Sequence, residues 1–329
     1  MQGFNEMKKD KAKRITGFFG ILVALILVFS GVLTDISMKD DNLIQSRNKS
    51  MAQIQKQKKN SIDMIVVGDS LSYSAISPMQ LWNSYGYSSF VCAQSGQRIQ
   101  ETYSMLQTAF ENQKPKLVIM ETNPMFRVRG KSEEIQSSML ETCNRYFPIF
   151  RYHDVWKPLL FGKQYSEQGY NGFLIRAGKK AYGKGETYME RPLKTEKIDA
   201  GISDYMDKIM ALCEKNNARL VLVSVPSPRN YNNGRHNTLQ QYAKEKNLTY
   251  LDLNKSVKDI GINWKQDCLD KGDHLNISGA TKVTAYLGDY LHNNTDLKDH
   301  RGETAYKKWN RKSKEYQRLV ASKIFVIRQ

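Results

Sequence analysis

From residue 61 onward the chain alternates short apolar runs with longer stretches of helical periodicity. The runs IDMIVVG (62–68), SSFVC (88–92), KLVIME (116–121), ARLVLVSV (218–225) and TYLDL (249–253) are each five to eight residues long. Runs of that length with little internal alternation predict strands buried on both faces, and therefore a parallel sheet. Between them, 98–112 and 203–216 place apolar residues at helical spacing, and 237–247 reads as a shorter helical connection. Alternating strand and helix implies right-handed crossovers and a doubly wound α/β fold of three layers. In such sheets function gathers beyond the carboxyl ends of the strands.

Three stretches break this rhythm. Ile15 to Thr34 (ITGFFGILVALILVFSGVLT) is a run of twenty uncharged residues, long enough to cross the roughly 30 Å hydrocarbon layer as a helix. Lys8, Lys9, Lys11, Lys13 and Arg14 precede it against Glu6 and Asp10, whereas Asp35, Asp40 and Asp41 follow it with Lys39. Positive flanks stay in the cytoplasm. The expectation is a cytoplasmic basic tail (1–14), a single-pass transmembrane helix (15–35) and an extracellular catalytic domain on the cell membrane. A cleaved signal peptide is the alternative, with small residues near Ser30 and Gly31; the length of the run and the lack of an A-x-A site count against it.

Residues 36–60 are polar and lysine-rich and read as a stalk. The interval from about 126 to 200 is aromatic and Gly/Lys-rich, and reads as a lid or subdomain inserted into a 61–295 domain. The basic tail, 296–329, carries nine Lys or Arg against two Glu over 301–329, a net +7. Two readings stand for it: a helix packed on the domain with a solvated basic face, or a polymer-binding tail.

Composition narrows the partners. With 329 residues, 40% of them hydrophobic, the chain can bury a large core. Its 50 Lys and Arg against 33 Asp and Glu give +17, which favours anionic partners. Placement outside the membrane excludes nucleic acid and leaves a cell-surface glycan or the membrane face. Cys92, Cys143, Cys213 and Cys268 are scattered without a C-x-x-C pair, so each reads as a buried apolar residue rather than part of a zinc site or disulfide framework. The Gly-Lys-Gly at 183–185 lacks P-loop spacing. Neither a cofactor nor a metal is expected.

The candidate chemistry begins where IDMIVV runs into Gly68-Asp69-Ser70. A serine there ends a strand and opens a helix, where backbone N–H groups and the helix dipole favour negative charge. Such a hydroxyl needs a base. Of the five histidines, His153, His236, His292 and His300 lie in the insertion, a loop, a helix end and the tail. His274, in CLDKGDHLNISGATKV, stands beyond the last strand and just before a helix, with Asp residues beside it to fix its tautomer. Tyr73 and Arg98, near the site, read as core edge and helix surface or as substrate-positioning groups.

These features together resemble the GDSL/SGNH hydrolase family over about residues 61–292. Gly68-Asp69-Ser70-Leu71 matches its first block literally. Gly96 in CAQSGQRI resembles the glycine whose N–H joins the oxyanion hole, and Asn123 in VIMETNP resembles the asparagine whose amide donates to the same oxyanion. The family's Asp-x-x-His corresponds to the Asp270–His274 stretch, but the position three before the histidine is Lys271. Asp270 is preferred as the acid because adjacent side chains diverge, with Asp273 the alternative. The resemblance implies catalysis by Ser70, His274 and Asp270, an oxyanion hole of Ser70, Gly96 and Asn123, and an acyl-serine intermediate. Membrane-anchored relatives imply O-acetylation of a cell-envelope polysaccharide or teichoic-acid-like polymer, with a multi-spanning membrane O-acyltransferase as partner. A carbohydrate esterase, a lipase whose acyl groove is lined by Phe147, Phe150, Trp156 and Phe161, and a silent glycan-binding scaffold are the other readings.

Overall fold

The structure is a computed structural model that describes residues 2–128, 130–162, 165, 169–190 and 194–328, with the backbone alone for 2–8. The parts of the expected insertion at 129, 163–164, 166–168 and 191–193 lie outside the described residues. Five strands, β1 (Met64–Gly68), β2 (Ser89–Ala93), β3 (Leu117–Glu121), β4 (Arg219–Ser224) and β5 (Thr249–Asp252), pair in the order β2-β1-β3-β4-β5, all parallel. Every residue of β1, β2 and β3 is buried, which is why they read as unbroken apolar runs. The register sets Val66 beside Val91 and Ile119, and Ile119 beside Val221. Full burial of such a side chain contributes about 1.5–3 kcal/mol.

The helices are α1 (Gln2–Lys39), α2 (Ser46–Gln55), α3 (Ser70–Ala75), α4 (Pro78–Tyr85), α5 (Ile99–Asn112), α6 (Lys131–Tyr146), α7 (Ile149–Tyr152), α8 (Trp156–Phe161), α9 (Ala200–Lys215), α10 (Asn233–Glu245), α11 (Val257–Ile260), α12 (Ile277–Asn294) and α13 (Lys307–Arg328). The chain divides into two compact units, residues 1–49 with 136–166, and residues 50–135 with 167–329.

The second unit holds the sheet. Helix α5 packs on α9, while α3, α4, α12 and α13 pack on one another. The chain steps from β1 outward to β2, then returns past β1 to β3, so the winding reverses between β1 and β3. In open α/β sheets such a reversal marks where ligands bind, beyond the carboxyl ends of the two strands.

The stalk expected over 36–60 divides. Helix α1 continues to Lys39, and from Ser50 the chain belongs to the second unit, where Met51 and Ile54 enter the core. Ser50 Oγ donates to the Ala93 carbonyl at 2.9 Å, and the Asn60 N–H donates to Asn112 O at 2.9 Å. In SRNKSMAQIQ the three apolar residues are outnumbered, yet all three are buried.

The inserted interval divides as well, 136–166 falling in the first unit and 167–200 in the second. In the second unit it covers the sheet edge: the Val91 N–H donates to Asn171 O at 2.9 Å, and Asn171 Nδ2 donates to Ser89 O at 3.3 Å. Tyr170 and Phe173 pack there with Tyr316 of α13. The basic tail is a helix packed on the domain. It buries Ser313, Tyr316, Val320 and Ile327, and Trp309 lies 5.0 Å from Trp82. Three cysteines are buried as expected, burial pushing the Cys213 thiol up to about 12, but Cys143 is exposed.

In the first unit, α1 contains a segment from Lys9 to Lys39 long and apolar enough to cross a membrane, with a mean hydropathy of 2.5 over its most apolar window and only 6% of that window buried.

Candidate active site

The nucleophile turn follows from three residues. Gly68 ends β1 at φ +153°, where a Cβ would meet Ser72 Oγ at 2.2 Å and Glu121 Cβ at 2.7 Å, so a larger side chain would push β1 away from β3. Asp69 is fully buried and caps α3, its Oδ1 accepting the Leu71 N–H at 2.9 Å. Ser70 is the first residue of α3 and only 7% exposed.

His274 reaches this serine from the loop ahead of α12. Its Nε2 lies 2.8 Å from Ser70 Oγ, and its Nδ1 lies 2.7 Å from Asp270 Oδ2. Asp270 Oδ1 also accepts the His274 backbone N–H at 2.7 Å, so one carboxylate fixes both the ring and the loop. With Nδ1 donating to Asp270, Nε2 offers its lone pair to the serine O–H. The loop closes through the Leu269 N–H bond to His274 O at 2.9 Å, and it turns through Lys271 at φ +64° and Gly272 at φ +94°. Two successive positive φ angles absorb the residue that separates Asp270 from the usual spacing. Asp273 stands farther off, 3.7 Å from Nδ1, and its Oδ1 accepts from Asn230 Nδ2 at 2.7 Å.

A parallel α/β sheet thus carries a Ser-His-Asp relay, with serine after β1, glycine after β2, asparagine after β3 and histidine after β5. The order of these groups along the sheet is the one through which the sequence resembles the GDSL/SGNH hydrolases.

Among solved structures, the chain is similar to a candidate acylhydrolase from Bacteroides fragilis, with 11% identity, a TM-score of 0.38, and coverage of 73% of this chain and 93% of that one. It is similar to TesA, with 12% identity, a TM-score of 0.36 and coverage of 69% and 97%. It is also similar to a GDSL-like lipase from Bacteroides thetaiotaomicron, with 11% identity, a TM-score of 0.34 and coverage of 70% and 87%. No protein-family model matches the sequence, and no curated protein matches it.

Asn123 is 3% exposed, in the short 3-10 turn Asn123–Phe126. Its Nδ2 donates to Asp69 Oδ2 at 2.8 Å, and its Oδ1 accepts from Arg235 at 3.3 Å. One amide hydrogen is therefore committed behind the nucleophile turn, and an amide carries two. Gly96 lies in the loop between β2 and α5 at φ +61°. Tyr73 is buried, and its hydroxyl accepts from Arg176 at 3.1 Å. Arg98 begins α5 and pairs with Glu133 at 3.3 Å.

Two charged residues absent from the sequence expectations complete the surroundings. Arg127 donates to Asp69 Oδ2 from Nε at 2.9 Å and from Nη2 at 2.5 Å, so the Asp69 charge is paired. Glu121, the last residue of β3, is fully buried, accepts the Asn123 N–H at 3.2 Å and accepts from the Tyr231 hydroxyl. Burial, and next the Asp69 charge, push its carboxyl well above the usual carboxylate range, against the opposing pull of those two hydrogen bonds. In sequence Glu121 is only the polar end of an apolar run; the one signal was its closeness to the Asn123 block. Among the described residues, the one grouping of acid and histidine close enough to share a metal ion is Asp270, Asp273 and His274, and the His274 ring nitrogens already face Asp270 and Ser70.

Proposed function

We propose that the protein is a serine O-acyltransferase that works on a cell-envelope polysaccharide or teichoic-acid-like polymer. The observation that carries the chemistry is the Ser70–His274–Asp270 relay, with contacts of 2.8 and 2.7 Å. His274 Nε2 takes the Ser70 proton as Oγ attacks an ester carbonyl. The imidazolium that forms is held by Asp270. The oxyanion meets the N–H groups of Ser70 and Gly96 and the second Asn123 amide hydrogen, at the amino end of α3. Collapse expels the donor alcohol, protonated by His274, and leaves an acyl-serine. His274 then deprotonates the acceptor, a sugar or polymer hydroxyl, which attacks the acyl carbon and frees Ser70.

Water in place of that hydroxyl makes the same site a carbohydrate esterase. The transfer reading is supported by the apolar helix α1 and by the charge of +17, which together suit an enzyme held beside an anionic polymer. Basic residues before the span support a domain outside the cytoplasm. There a multi-spanning membrane O-acyltransferase would be the partner that delivers the acyl group. The lipase reading has less behind it, because three of Phe147, Phe150, Trp156 and Phe161 are exposed. The scaffold reading, built on the basic surface and tail and kept open by the acid missing from its usual place, has less support because Asp270 lies 2.7 Å from His274 Nδ1.

The full chain in detergent should release acetate from an activated acetyl ester, and Ser70→Ala should slow this by about 10³-fold or more. Equal rates would overturn the catalytic assignment. Adding a phosphate-bearing oligosaccharide should give acetylated sugar by mass spectrometry, whereas free acetate alone would favour the esterase.

A further inference from the structure

The stretch from α6 to α8 has its polarity reversed. Within the first unit Arg151 and Glu141 are buried and paired at 2.8 Å, and Asn48 Nδ2 donates to the Arg151 carbonyl at 3.0 Å. Leu159, Leu160 and Phe161 are by contrast 53%, 72% and 74% exposed, and Phe150 and Trp156 are exposed as well. A water-facing helical segment places these two kinds of residue the other way round. Large apolar side chains gathered at a surface mark a partner or a membrane.

Continuity with α1 identifies the occupant. The Ile149 N–H donates to Ser30 Oγ at 3.2 Å, and Ser30 and Ser37 are buried, while the apolar face of α1 from Ile15 to Phe29 is exposed almost throughout. The contact therefore falls at the carboxyl end of the apolar run. At 1.5 Å per residue, Ser30 lies about 6 Å from the end of that run at Thr34, within reach of the headgroup layer. A tryptophan with an exposed lysine next to it, as in Trp156-Lys157, suits that boundary.

We propose that α7 and α8 lie in the membrane interface beside α1, with Phe150, Trp156, Leu159, Leu160 and Phe161 in contact with lipid and the Arg151–Glu141 pair turned away from it. With only four and six residues, α7 and α8 do not span. They add a second contact that stops the unit from swivelling about α1. The proposal rests on α1 crossing a bilayer and is independent of the acyl-transfer chemistry.

The test reconstitutes the full chain into phosphatidylcholine vesicles whose acyl chains are brominated either just below the headgroup or near the bilayer centre. Trp82 and Trp264 are buried and Trp309 is half-buried in the other unit, so Trp156 is the exposed tryptophan among the described residues. Shallow bromines should quench a fluorescence component that Trp156→Phe removes, and deep bromines should quench it less. Leu160→Glu with Phe161→Glu should shift that component to the red and abolish most of its quenching, in a protein that still unfolds cooperatively. Flotation with the vesicles tests the anchor separately. A protein that floats but shows the same fluorescence in brominated and plain vesicles, or the same quenching in Trp156→Phe, overturns the proposal. Quenching that appears only when the chains are diluted to monomers also overturns it, since the occupant would then be a second copy.

Discussion

Two aspartates compete for one histidine, and distance separates them. Asp270 contacts His274 Nδ1 at 2.7 Å and the backbone N–H at 2.7 Å, whereas Asp273 is 3.7 Å away and engaged with Asn230. Asp270→Asn should leave the shape intact but favour the wrong tautomer, lowering kcat on the order of 10³–10⁴-fold with little change in KM. Asp273→Asn should cost less than about tenfold. Steady-state rates of the two variants on one acetyl ester decide this, and the reverse ranking would move the acid to Asp273. The serine and histidine were legible because each sits at a strand end or helix start that local pattern predicts. Arg127 and Glu121 were not. Their positions depend on the register that brings β3 beside β1, and nothing in the local sequence encodes that neighbour.

The five strands were legible to within about two residues: β1, β2 and β3 are buried throughout and β4 beyond Arg219, which leaves apolar runs, while β5 is half-buried along its length and shows only as the short TYLDL run. The packing of α2 against the core was hidden by its polar composition, which suits a solvated stalk, helical or not, and the cover over the edge of β2 was hidden because it is made by backbone. That cover depends on Gly172, at φ +84°, whose missing Cβ would lie 1.9 Å from the Val91 carbonyl oxygen. Gly172→Ala meets both an unfavourable left-handed backbone and a clash with another strand's backbone. It should lower stability by about 2–4 kcal/mol. Chemical unfolding in detergent would register this as a lower midpoint, with hydrogen exchange rising first at the Val91 amide. An unchanged midpoint would mean that the 169–173 segment lifts away at little cost.

Over the whole molecule, one contribution to pH dependence comes from a carboxyl that lies under the nucleophile turn rather than in it. Glu121 is pushed well above the ordinary value of 4.5, first by burial and then by Asp69. Because the folded state holds this proton more tightly than the unfolded chain, the stability it provides is complete below about pH 4.5. That stability is lost as pH rises through the folded pKa, with a slope of at most about 1.4 kcal/mol per pH unit for one proton. The sign is opposite to that of an ion-paired carboxylate, which stabilises on the alkaline side. Glu121→Gln still accepts from Tyr231 and from the Asn123 N–H but has no proton to lose. Its stability relative to the parent should therefore rise as pH increases from about 5 to 8, measured as urea midpoints in detergent at fixed ionic strength. Parallel curves for parent and variant would show that Glu121 does not titrate differently on folding, and that the Asp69–Arg127 pair alone sets the electrostatics behind Ser70.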